Sequence, residues 1–95
     1  MKINIQSPDF KADQKLIDFV IEKIEKLGKF SDRIHEANVT LKLDKSDSRE
    51  NKICEIKLAI PGNDLFASRQ CKTFEEAASK SSDALRSQID SWKKV

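Results

Sequence analysis

The chain carries, at residues 54–71, the stretch CEIKLAIPGNDLFASRQC, in which two alternating segments flank a turn. Apolar residues occupy every second position from Cys54 to Ile60, and this period is typical of a strand with one buried face. Residues 61–64 combine proline, glycine, asparagine and aspartate, which favour a tight turn. Residues 65–71 supply a second strand after the turn. The stretch therefore predicts an antiparallel hairpin.

The register of this hairpin decides whether its two cysteines are neighbours. If the turn is symmetric about Gly62 and Asn63, Cys54 faces Cys71 across the strands. The pair would then have either a redox role or the plainer role of two small reduced residues that fill a sheet, and a slip of one residue in the turn would separate them. The chain has 2 cysteines, in neither a CxxC motif nor a metal-ligand spacing. We therefore expect reduced thiols, no disulfide framework and no metal site.

Two further strands precede the hairpin in the sequence. Residues 37–44 alternate apolar and polar side chains in the same way, and the polar residues 45–51 form the loop that leads into the hairpin. Residues 2–7 place Ile3 and Ile5 between polar neighbours, which predicts a strand at the start of the chain. The last three strands therefore form an antiparallel meander.

Two segments repeat apolar residues at helical spacing. Residues 13–29 predict a first helix, and Gly28 is placed to stop it. Thr73 and Glu76 fit the capping box at the start of a second helix, because a threonine hydroxyl and a glutamate carboxylate satisfy amides that the first helical turn leaves free. An apolar stripe then continues to Trp92, which makes this helix long enough to lie across a sheet.

The order strand, helix, strand, strand, strand, helix restricts the topology. A helix that joins the first two strands gives a right-handed crossover only if these strands pair in parallel, so both helices cover the same apolar face. We expect an α+β fold, a two-layer sandwich of order β-α-β-β-β-α whose four-stranded sheet carries both helices on one face and meets water with the other. The 95 residues are enough for one domain that folds without metal or disulfide.

Composition and charge exclude several classes of protein. The formal net charge is +2, from 18 Lys and Arg against 16 Asp and Glu, so the total charge does not argue for a nucleic-acid partner. No apolar run has the length of a signal-peptide core or a membrane span, and we expect a cytoplasmic protein without a membrane partner. His35 is the 1 histidine and the chain has 2 glycines, which leaves no catalytic triad and no glycine-rich phosphate loop. We therefore expect no enzyme, no cofactor and no small-molecule substrate.

Several local pieces of sequence point to a family. Residues 27–34 read LGKFSDRI between the first helix and the second strand, Lys23 and Lys26 precede them, and residues 65–67 read LFA before the capped helix. Together with the element order, these pieces resemble the ribosome hibernation promoting factor and ribosome-associated inhibitor family, also called sigma-54 modulation proteins. The resemblance covers nearly the whole chain. Because the chain stops just after the second helix, at Val95, it looks like a short form.

The resemblance implies a fold and a function. Family members have a fold similar to double-stranded RNA-binding domains with an added first strand, and they bind in the tRNA and mRNA channel of the small ribosomal subunit, near the decoding centre. Occupying this channel blocks translation while ribosomes are idle. The expected partners are therefore the small ribosomal subunit and its rRNA, bound by a protein that we expect to be a monomer.

The first helix supplies the first candidate RNA-binding residues. Lys26 and Lys29 lie near one another on its polar side, at roughly 100° of rotation per residue. Lys23 lies at the apolar margin, where a stem along apolar surface would project the ammonium outward to a phosphate. The alternative for Lys23 is ordinary snorkelling beside Glu22 and Glu25.

Arg33 and Phe19 extend this candidate surface. Arg33 follows the helix, where a guanidinium can contact a phosphate through two N–H groups at once, although pairing with Asp32 or Glu36 is equally open. Phe19 faces the same side of the helix. It could stack on a base, or it could pack under a neighbouring strand or loop.

The second helix departs from the family pattern. Family members commonly read Asp-Lys-Leu-x-Arg-Gln-Leu-x-Lys-x-Lys there, whereas residues 83–93 of this chain read DALRSQIDSWK, so most of the basic positions are lost. Affinity for rRNA is then lower unless other basic residues compensate from shifted places. A solvated face of mixed charge, which includes Glu75 and Asp90, is the alternative. The basic candidates are Lys80, Arg86, Lys93 and Lys94.

Two functions from different classes follow. The primary hypothesis is translation silencing, in which the basic residues of both helices and Arg33 dock on rRNA through shape and phosphate contacts. The alternative is a protein-interaction domain that has kept the fold but lost affinity for rRNA, and that recruits a partner through its open sheet face or the edge of its last strand. RNA binding weakens steeply as salt rises, whereas binding through an apolar interface does not, so salt separates the two.

Overall fold

The helices and strands follow the order that the sequence predicts. The four strands form one sheet in the order β1-β2-β3-β4, in which β1 and β2 are parallel and the other neighbours are antiparallel. The predicted α+β fold, with its parallel first pair, is confirmed. A computed structural model describes residues 1–46 and 49–93, with the elements β1 (Lys2–Gln6), α1 (Gln14–Gly28), β2 (Glu36–Leu43), β3 (Lys52–Ala59), β4 (Leu65–Cys71) and α2 (Phe74–Lys93).

Both helices pack on the same face of the sheet, and their buried side chains form one cluster with those of the strands. Val20 and Ile24 of α1 and Leu85 and Ile89 of α2 are each 0% exposed. Burying one such side chain contributes about 1.5–3 kcal/mol, so apolar contact between the two layers is what holds the helices in place. The strand residues of the cluster include Ala37, Val39, Leu41, Cys54, Ile56, Leu58, Leu65, Ala67 and Cys71.

The other face of the sheet meets water, and it pairs its charged side chains. Lys42 Nζ of β2 lies 3.0 Å from Glu55 Oε1 of β3, and Lys57 Nζ lies 3.4 Å from Asp64 Oδ2. Phe66 of β4, which is 53% exposed, is the large apolar side chain here. We call this surface, defined by these five residues, the open sheet face.

Helix α1 begins and ends near the predicted residues. The Asp13 side chain caps the helix by accepting a hydrogen bond of 2.9 Å from the Leu16 N–H. Gly28 is the last helical residue, but it does not adopt the left-handed conformation in which glycine commonly ends a helix. A side chain at Gly28 would instead meet Met1, whose Cε lies 2.7 Å from the position of a Cβ. That atom is the end of a flexible and exposed side chain, so Met1 can move aside and the contact does not by itself require glycine here.

Helix α2 shows half of the predicted capping box. The Thr73 hydroxyl accepts a hydrogen bond of 3.1 Å from the Glu76 N–H, as expected. The Glu76 carboxylate, however, lies 3.2 Å from Lys80 Nζ one turn further along the helix. The ammonium of Lys80 thus takes the place that the backbone amide of Thr73 has in a complete capping box.

The two cysteines are not cross-strand neighbours, so of the two registers that the sequence left open, the structure has the one in which a slip in the turn separates them. Strands β3 and β4 pair so that Cys54 lies opposite Arg69, while Cys71 lies opposite Lys52. This register differs by two residues from the one that a turn symmetric about Gly62 and Asn63 would give. Because the side-chain period of a strand is also two, this difference moves no side chain to the other face, and both cysteines remain buried and free.

The turn explains the difference in register. The Asn63 N–H donates to the Ile60 carbonyl oxygen over 3.4 Å, and Gly62 has a φ of +86°. Proline at the second position and a positive φ at the third are the features of a type II turn. The turn is therefore centred between Pro61 and Gly62, and not between Gly62 and Asn63. Moving the centre of a hairpin by one residue moves every cross-strand pair by two.

Burial keeps both thiols protonated at neutral pH. It raises the pKa of the Cys54 thiol to about 12, and it also raises the pKa of the Cys71 thiol. Since the thiolate is the reactive form, neither side chain is a ready nucleophile. Of the two roles considered for these cysteines, the geometry supports the filling of the sheet.

Strand β4 is an outer strand, and side chains cover two of its carbonyl groups. The Gln88 amide of α2 donates to the Phe66 carbonyl oxygen over 2.8 Å. The Arg69 guanidinium donates to the Ser68 carbonyl oxygen over 2.7 Å. The last helix therefore contacts the margin of the sheet through a polar side chain as well as the core through apolar ones.

Candidate nucleic-acid interface

A groove between α1 and α2 brings together four of the basic residues that the sequence predicts. Its volume is about 360 Å³. The four cations stand around an apolar floor, and one carboxylate lies among them. We call this site the basic groove, and its lining residues are Lys23, Lys26, Leu27, Lys29, Phe30, Ser82, Asp83 and Arg86.

Helical periodicity places these cations. Lys23 and Lys26 are three residues apart on α1 and therefore lie on one side of it, and Lys29 follows at the C-terminal cap. Arg86 reaches the groove from α2, which packs against α1. Four cations outnumber the carboxylate of Asp83 in the lining and that of Glu22 beside Lys26, and this excess of positive charge attracts phosphate.

Two of the four cations lie over aromatic rings. The Arg86 guanidinium carbon is 4.1 Å from the centroid of the Phe30 ring, and Lys23 Nζ is 5.4 Å from that of Phe19. A stacked guanidinium uses its flat face, so the N–H groups at its edge stay available to an acceptor. The Phe30 ring therefore leaves the edge of the Arg86 guanidinium available, and neither ring neutralises the charge of the cation above it.

The remaining groove lysines differ in their partners. Lys26 Nζ lies 3.5 Å from Glu22 Oε1 in an exposed pair one helical turn apart. Such a pair contributes about 0–1 kcal/mol, so a phosphate can compete with the carboxylate at little cost. Within residues 1–46 and 49–93, no carboxylate lies at ion-pair distance from Lys23 or Lys29. The snorkelling of Lys23 beside Glu22 and Glu25 is thus not accompanied by an ion pair.

Ser82 lines the groove, but its hydroxyl oxygen is buried. The residue is 5% exposed, and its Oγ has no hydrogen-bond partner within the part of the chain that the structure describes. Its neighbour Ser81 differs, because its hydroxyl donates to the Cys54 carbonyl oxygen of β3 over 2.9 Å. Adjacent serines on α2 therefore differ: the hydroxyl of Ser81 bonds to the sheet, and that of Ser82 is buried without a partner among the described residues.

A second site adjoins the basic groove at the end of α2. We call it the tryptophan cleft; it has a volume of about 770 Å³ and is lined by residues 28–33 and Trp92. Here the Arg33 guanidinium carbon lies 5.6 Å from the centroid of the Trp92 ring. No carboxylate of the described chain, Asp32 and Glu36 included, is within ion-pair distance of Arg33. Lys29 and Phe30 line both sites, so the two are direct neighbours.

The structure also places the other candidate residues. Phe19 is half-buried and packs against the core, which is the packing alternative that the sequence left open. Lys80 lines neither site, and the hydrogen bond to Glu76 raises its pKa. Lys93 is the last residue of α2, but its side chain and the whole of Lys94 lie outside the described residues.

Sequence reasoning missed the residues that support the cations. The Phe30 ring contacts Arg86, the Trp92 ring contacts Arg33, and Ser82 lines the groove. An aromatic residue directly after Lys29 was a usable signal for the first of these contacts. Nothing local marks the others, because each joins residues that are far apart in the sequence and meet only when the helices pack.

The described residues contain neither a metal centre nor a membrane span. Within residues 1–46 and 49–93, no three His, Cys, Asp or Glu side chains are close enough to share a metal ion. No helix in the same ranges combines the length and the apolar character that crossing a membrane requires.

Comparison with known proteins gives a match over almost the whole chain. The model of the family described as Sigma 54 modulation protein / S30EA ribosomal protein matches residues 3–94. A ribosome hibernation promoting factor of Pseudomonas putida is 27% identical over 93 residues, which cover 98% of this chain and 87% of that protein. A ribosome hibernation promotion factor of Deinococcus radiodurans is 31% identical over 78 residues. That match covers 80% of this chain but 40% of the relative, so the chain spans less than half of the longer protein.

Two solved structures have the same arrangement of helices and strands. The N-terminal domain of Protein Y from Thermus thermophilus superposes with a TM-score of 0.82 at 20% identity, covering 97% of this chain and 99% of that one. A ribosomal subunit interface protein from Coxiella burnetii gives a TM-score of 0.84 at 15% identity and covers 100% of both chains. At such identities the superpositions establish the fold, and the site rests on the side chains described above.

Proposed function

Because the chain belongs to the Sigma 54 modulation protein / S30EA ribosomal protein family, we propose that it silences ribosomes by binding the small ribosomal subunit in the tRNA and mRNA channel, near the decoding centre. The names of its hibernation-factor relatives support a role at the ribosome. In this proposal residues 1–95 act in the cytoplasm as one ribosome-binding domain and as a monomer. The protein inhibits translation by occupancy, without enzymatic activity and without a cofactor.

The basic groove is the observation that carries this proposal. Its lysines and Arg86 stand on one side of the helix layer, and within the described residues no carboxylate lies at ion-pair distance from Lys23, Lys29 or Arg86. A row of such donors matches the phosphates of a folded RNA, whose regular spacing favours recognition by shape. Phosphate contacts carry little sequence information, so we expect the protein to recognise rRNA structure with little base readout.

Co-sedimentation with purified small ribosomal subunits tests the proposal. Wild-type protein should bind at low salt and bind much less at moderate salt, because each phosphate contact releases counterions. A variant with Lys23→Glu, Lys26→Glu and Lys29→Glu should lose binding at both salt concentrations. Cell-free translation should be inhibited by the wild type and spared by this variant.

A matched control separates the groove from net charge. Lys11, Lys45 and Lys72 are exposed and line neither the basic groove nor the tryptophan cleft. Changing these three residues to Glu alters the formal charge by the same amount as the groove variant, and binding should remain near the wild-type level. Equal losses in the two variants, or translation inhibition that survives the groove variant, would sink the assignment.

The location in the channel has its own test. Small subunits loaded beforehand with tRNA and mRNA should bind less of the protein than empty subunits, because the ligands occupy the same space. The groove variant provides the baseline for non-specific pelleting. Undiminished binding to loaded subunits would place the docking site elsewhere on the ribosome, while leaving the role of the groove intact.

The same experiment decides about the protein-interaction alternative. If wild-type protein fails to bind subunits at either salt concentration, the chain has kept the fold without the RNA affinity. Phe66 on the open sheet face would then be the first residue to examine, since it is a large apolar side chain that is 53% exposed.

A further inference from the structure

The tryptophan cleft differs chemically from the basic groove beside it. Its lining combines the cations of Lys29 and Arg33, the carboxylate of Asp32 and the rings of Phe30 and Trp92. A site for phosphate alone needs neither a carboxylate nor an indole, and the carboxylate would repel it. The mixture fits a ligand that has an aromatic part, hydrogen-bond donors and a negative charge. An unpaired nucleotide of a single-stranded RNA has all three.

The size of the cleft fits such a ligand. Sites for small molecules in proteins have volumes of roughly 300–1,000 Å³, and the cleft has about 770 Å³. Its position matters as well, because Lys29 and Phe30 belong to both sites. A strand whose phosphates follow the basic groove therefore has the cleft directly beside it.

The spacing between Arg33 and Trp92 is close to what an inserted base requires. Stacked bases are about 3.4 Å apart, so a base held between two planar groups needs about 6.8 Å between them. The Arg33 guanidinium carbon lies 5.6 Å from the Trp92 centroid, and Arg33 is exposed. A small outward movement of this one exposed side chain opens the gap. Trp92 is half-buried at the end of α2 and supplies the fixed wall.

We propose that the tryptophan cleft binds one unpaired nucleobase of a single-stranded RNA segment, stacked between the Trp92 indole and the Arg33 guanidinium. Lys29 then holds the phosphate of this nucleotide, and Asp32 accepts a hydrogen bond from an exocyclic amino group, as carboxylates do with cytosine. The inference rests on the proposed function, since it adds a single-stranded contact to a protein that docks on RNA. The stacked base would also allow the second helix to bind RNA through Trp92, although this helix lacks most of the basic residues that family members have there.

The fluorescence of Trp92 reports directly on this contact, because the chain has 1 tryptophan. The probe is a single-stranded RNA of about eight nucleotides, within the usual range for single-strand sites. The control is an abasic RNA of the same length, which has the same phosphates but lacks the central bases. The intact RNA should quench the indole, and it should bind about 5- to 100-fold more tightly than the abasic RNA, as expected for the loss of one stacked base. Equal affinity for the two RNAs, or no quenching by the intact one, would overturn the proposal.

Two variants separate stacking from folding. Trp92→Phe keeps an aromatic face and should retain most of the preference for intact RNA, measured with a labelled RNA by fluorescence anisotropy. Trp92→Leu keeps an apolar side chain and should lose that preference. Because the abasic comparison is made with wild-type protein, a Trp92→Leu variant that unfolds does not remove the test.

The outcome is distinguishable from that of the ribosome proposal. Salt-sensitive binding to small subunits together with equal affinity for intact and abasic RNA would refute the stacked base and leave ribosome silencing standing. Quenching by the intact RNA without binding to small subunits would support the cleft and refute ribosome silencing.

Discussion

The basic groove and the open sheet face both carry positive side chains, but these side chains have different partners. On the open sheet face, Lys42 and Lys57 lie 3.0 and 3.4 Å from carboxylate oxygens. In the basic groove, Lys23 and Arg86 lie over aromatic rings. A carboxylate neutralises the cation and occupies its donors, whereas a ring leaves the formal charge and the donors at the edge unchanged.

This difference locates a binding surface that the overall charge conceals. The formal net charge is only +2, which by itself favours no nucleic-acid partner. The two faces nevertheless differ in potential. Carboxylates pair with Lys42 and Lys57 on the open sheet face, whereas most cations of the basic groove have no carboxylate at ion-pair distance within the described residues. The type of partner beside each cation is therefore more informative than the number of cations.

The largest expected difference in affinity is between a variant that lacks a cation of the basic groove and a variant that lacks a cation of the open sheet face. Arg86→Ala should weaken binding to small ribosomal subunits by about tenfold or more, because a hydrogen bond from a charged group contributes about 1.5–3 kcal/mol. Lys57→Ala should leave the affinity close to that of the wild type, since Lys57 lies on the open sheet face and does not line the basic groove. Titration of labelled protein with small subunits at low salt measures both. Similar losses in the two variants would remove the distinction between the faces.

A ring variant sharpens this prediction. Phe30→Leu keeps an apolar side chain under Arg86 but removes the aromatic face, whose interaction with a cation contributes about 0.5–1 kcal/mol at exposed sites. Its affinity should fall between those of the wild type and Arg86→Ala. If Phe30→Leu binds as tightly as the wild type, the ring does not orient the arginine.

The second prediction concerns stability and the two adjacent serines of α2. Ser81→Ala should lower the free energy of unfolding by about 1–2 kcal/mol, because the buried Cys54 carbonyl loses a donor. Ser82→Ala should leave stability unchanged or raise it by up to about 1 kcal/mol, because it removes a buried hydroxyl that has no partner within the described residues. Urea unfolding of both variants gives the comparison. A loss in Ser82→Ala as large as that in Ser81→Ala would show that the Ser82 hydroxyl is satisfied in solution.

The smallest expected effect is a change in salt dependence. Lys29→Gln should reduce the slope of log K against log salt concentration by about one unit, because one phosphate contact is lost. Lys42→Gln, on the open sheet face, should leave the slope as it is. Binding isotherms at several salt concentrations supply both slopes. An unchanged slope for Lys29→Gln would exclude this lysine from the phosphate contacts.

The sequence predicted the fold well because each helix and strand carries its own pattern. The period of two from residue 37 onward and the helical stripes needed no long-range information. The centre of the hairpin turn could not be read in this way. Pro61-Gly62 and Gly62-Asn63 are both favourable turn pairs, and they differ by a single position. The first of these pairs forms the turn, and it therefore places Arg69, and not Cys71, opposite Cys54. This choice depends on the backbone φ angle that the proline fixes.

The candidate site was predictable only in part. The spacing of Lys26 and Lys29 is a local property, so their nearness on the polar side of the first helix followed from the sequence, as did the place of Lys23 at the apolar margin. The presence of Arg86 in the same groove and its contact with Phe30 depend on how α1 and α2 cross, which no local pattern specifies. Lys80 lines neither site, and it forms an exposed ion pair with Glu76, one turn away on the same helix. Its role in RNA binding stays a prediction.

The contacts of Gln88 and Arg69 with the carbonyl groups of β4 bear on how the protein behaves when it is abundant. An outer strand with unoccupied carbonyl and amide groups is a template on which the sheet of another molecule can grow, and such growth leads to aggregation. In this chain the Phe66 and Ser68 oxygens already accept hydrogen bonds from the molecule's own side chains. Sheet extension between copies must first break these bonds, so the fold itself opposes self-association through β4 at high concentration.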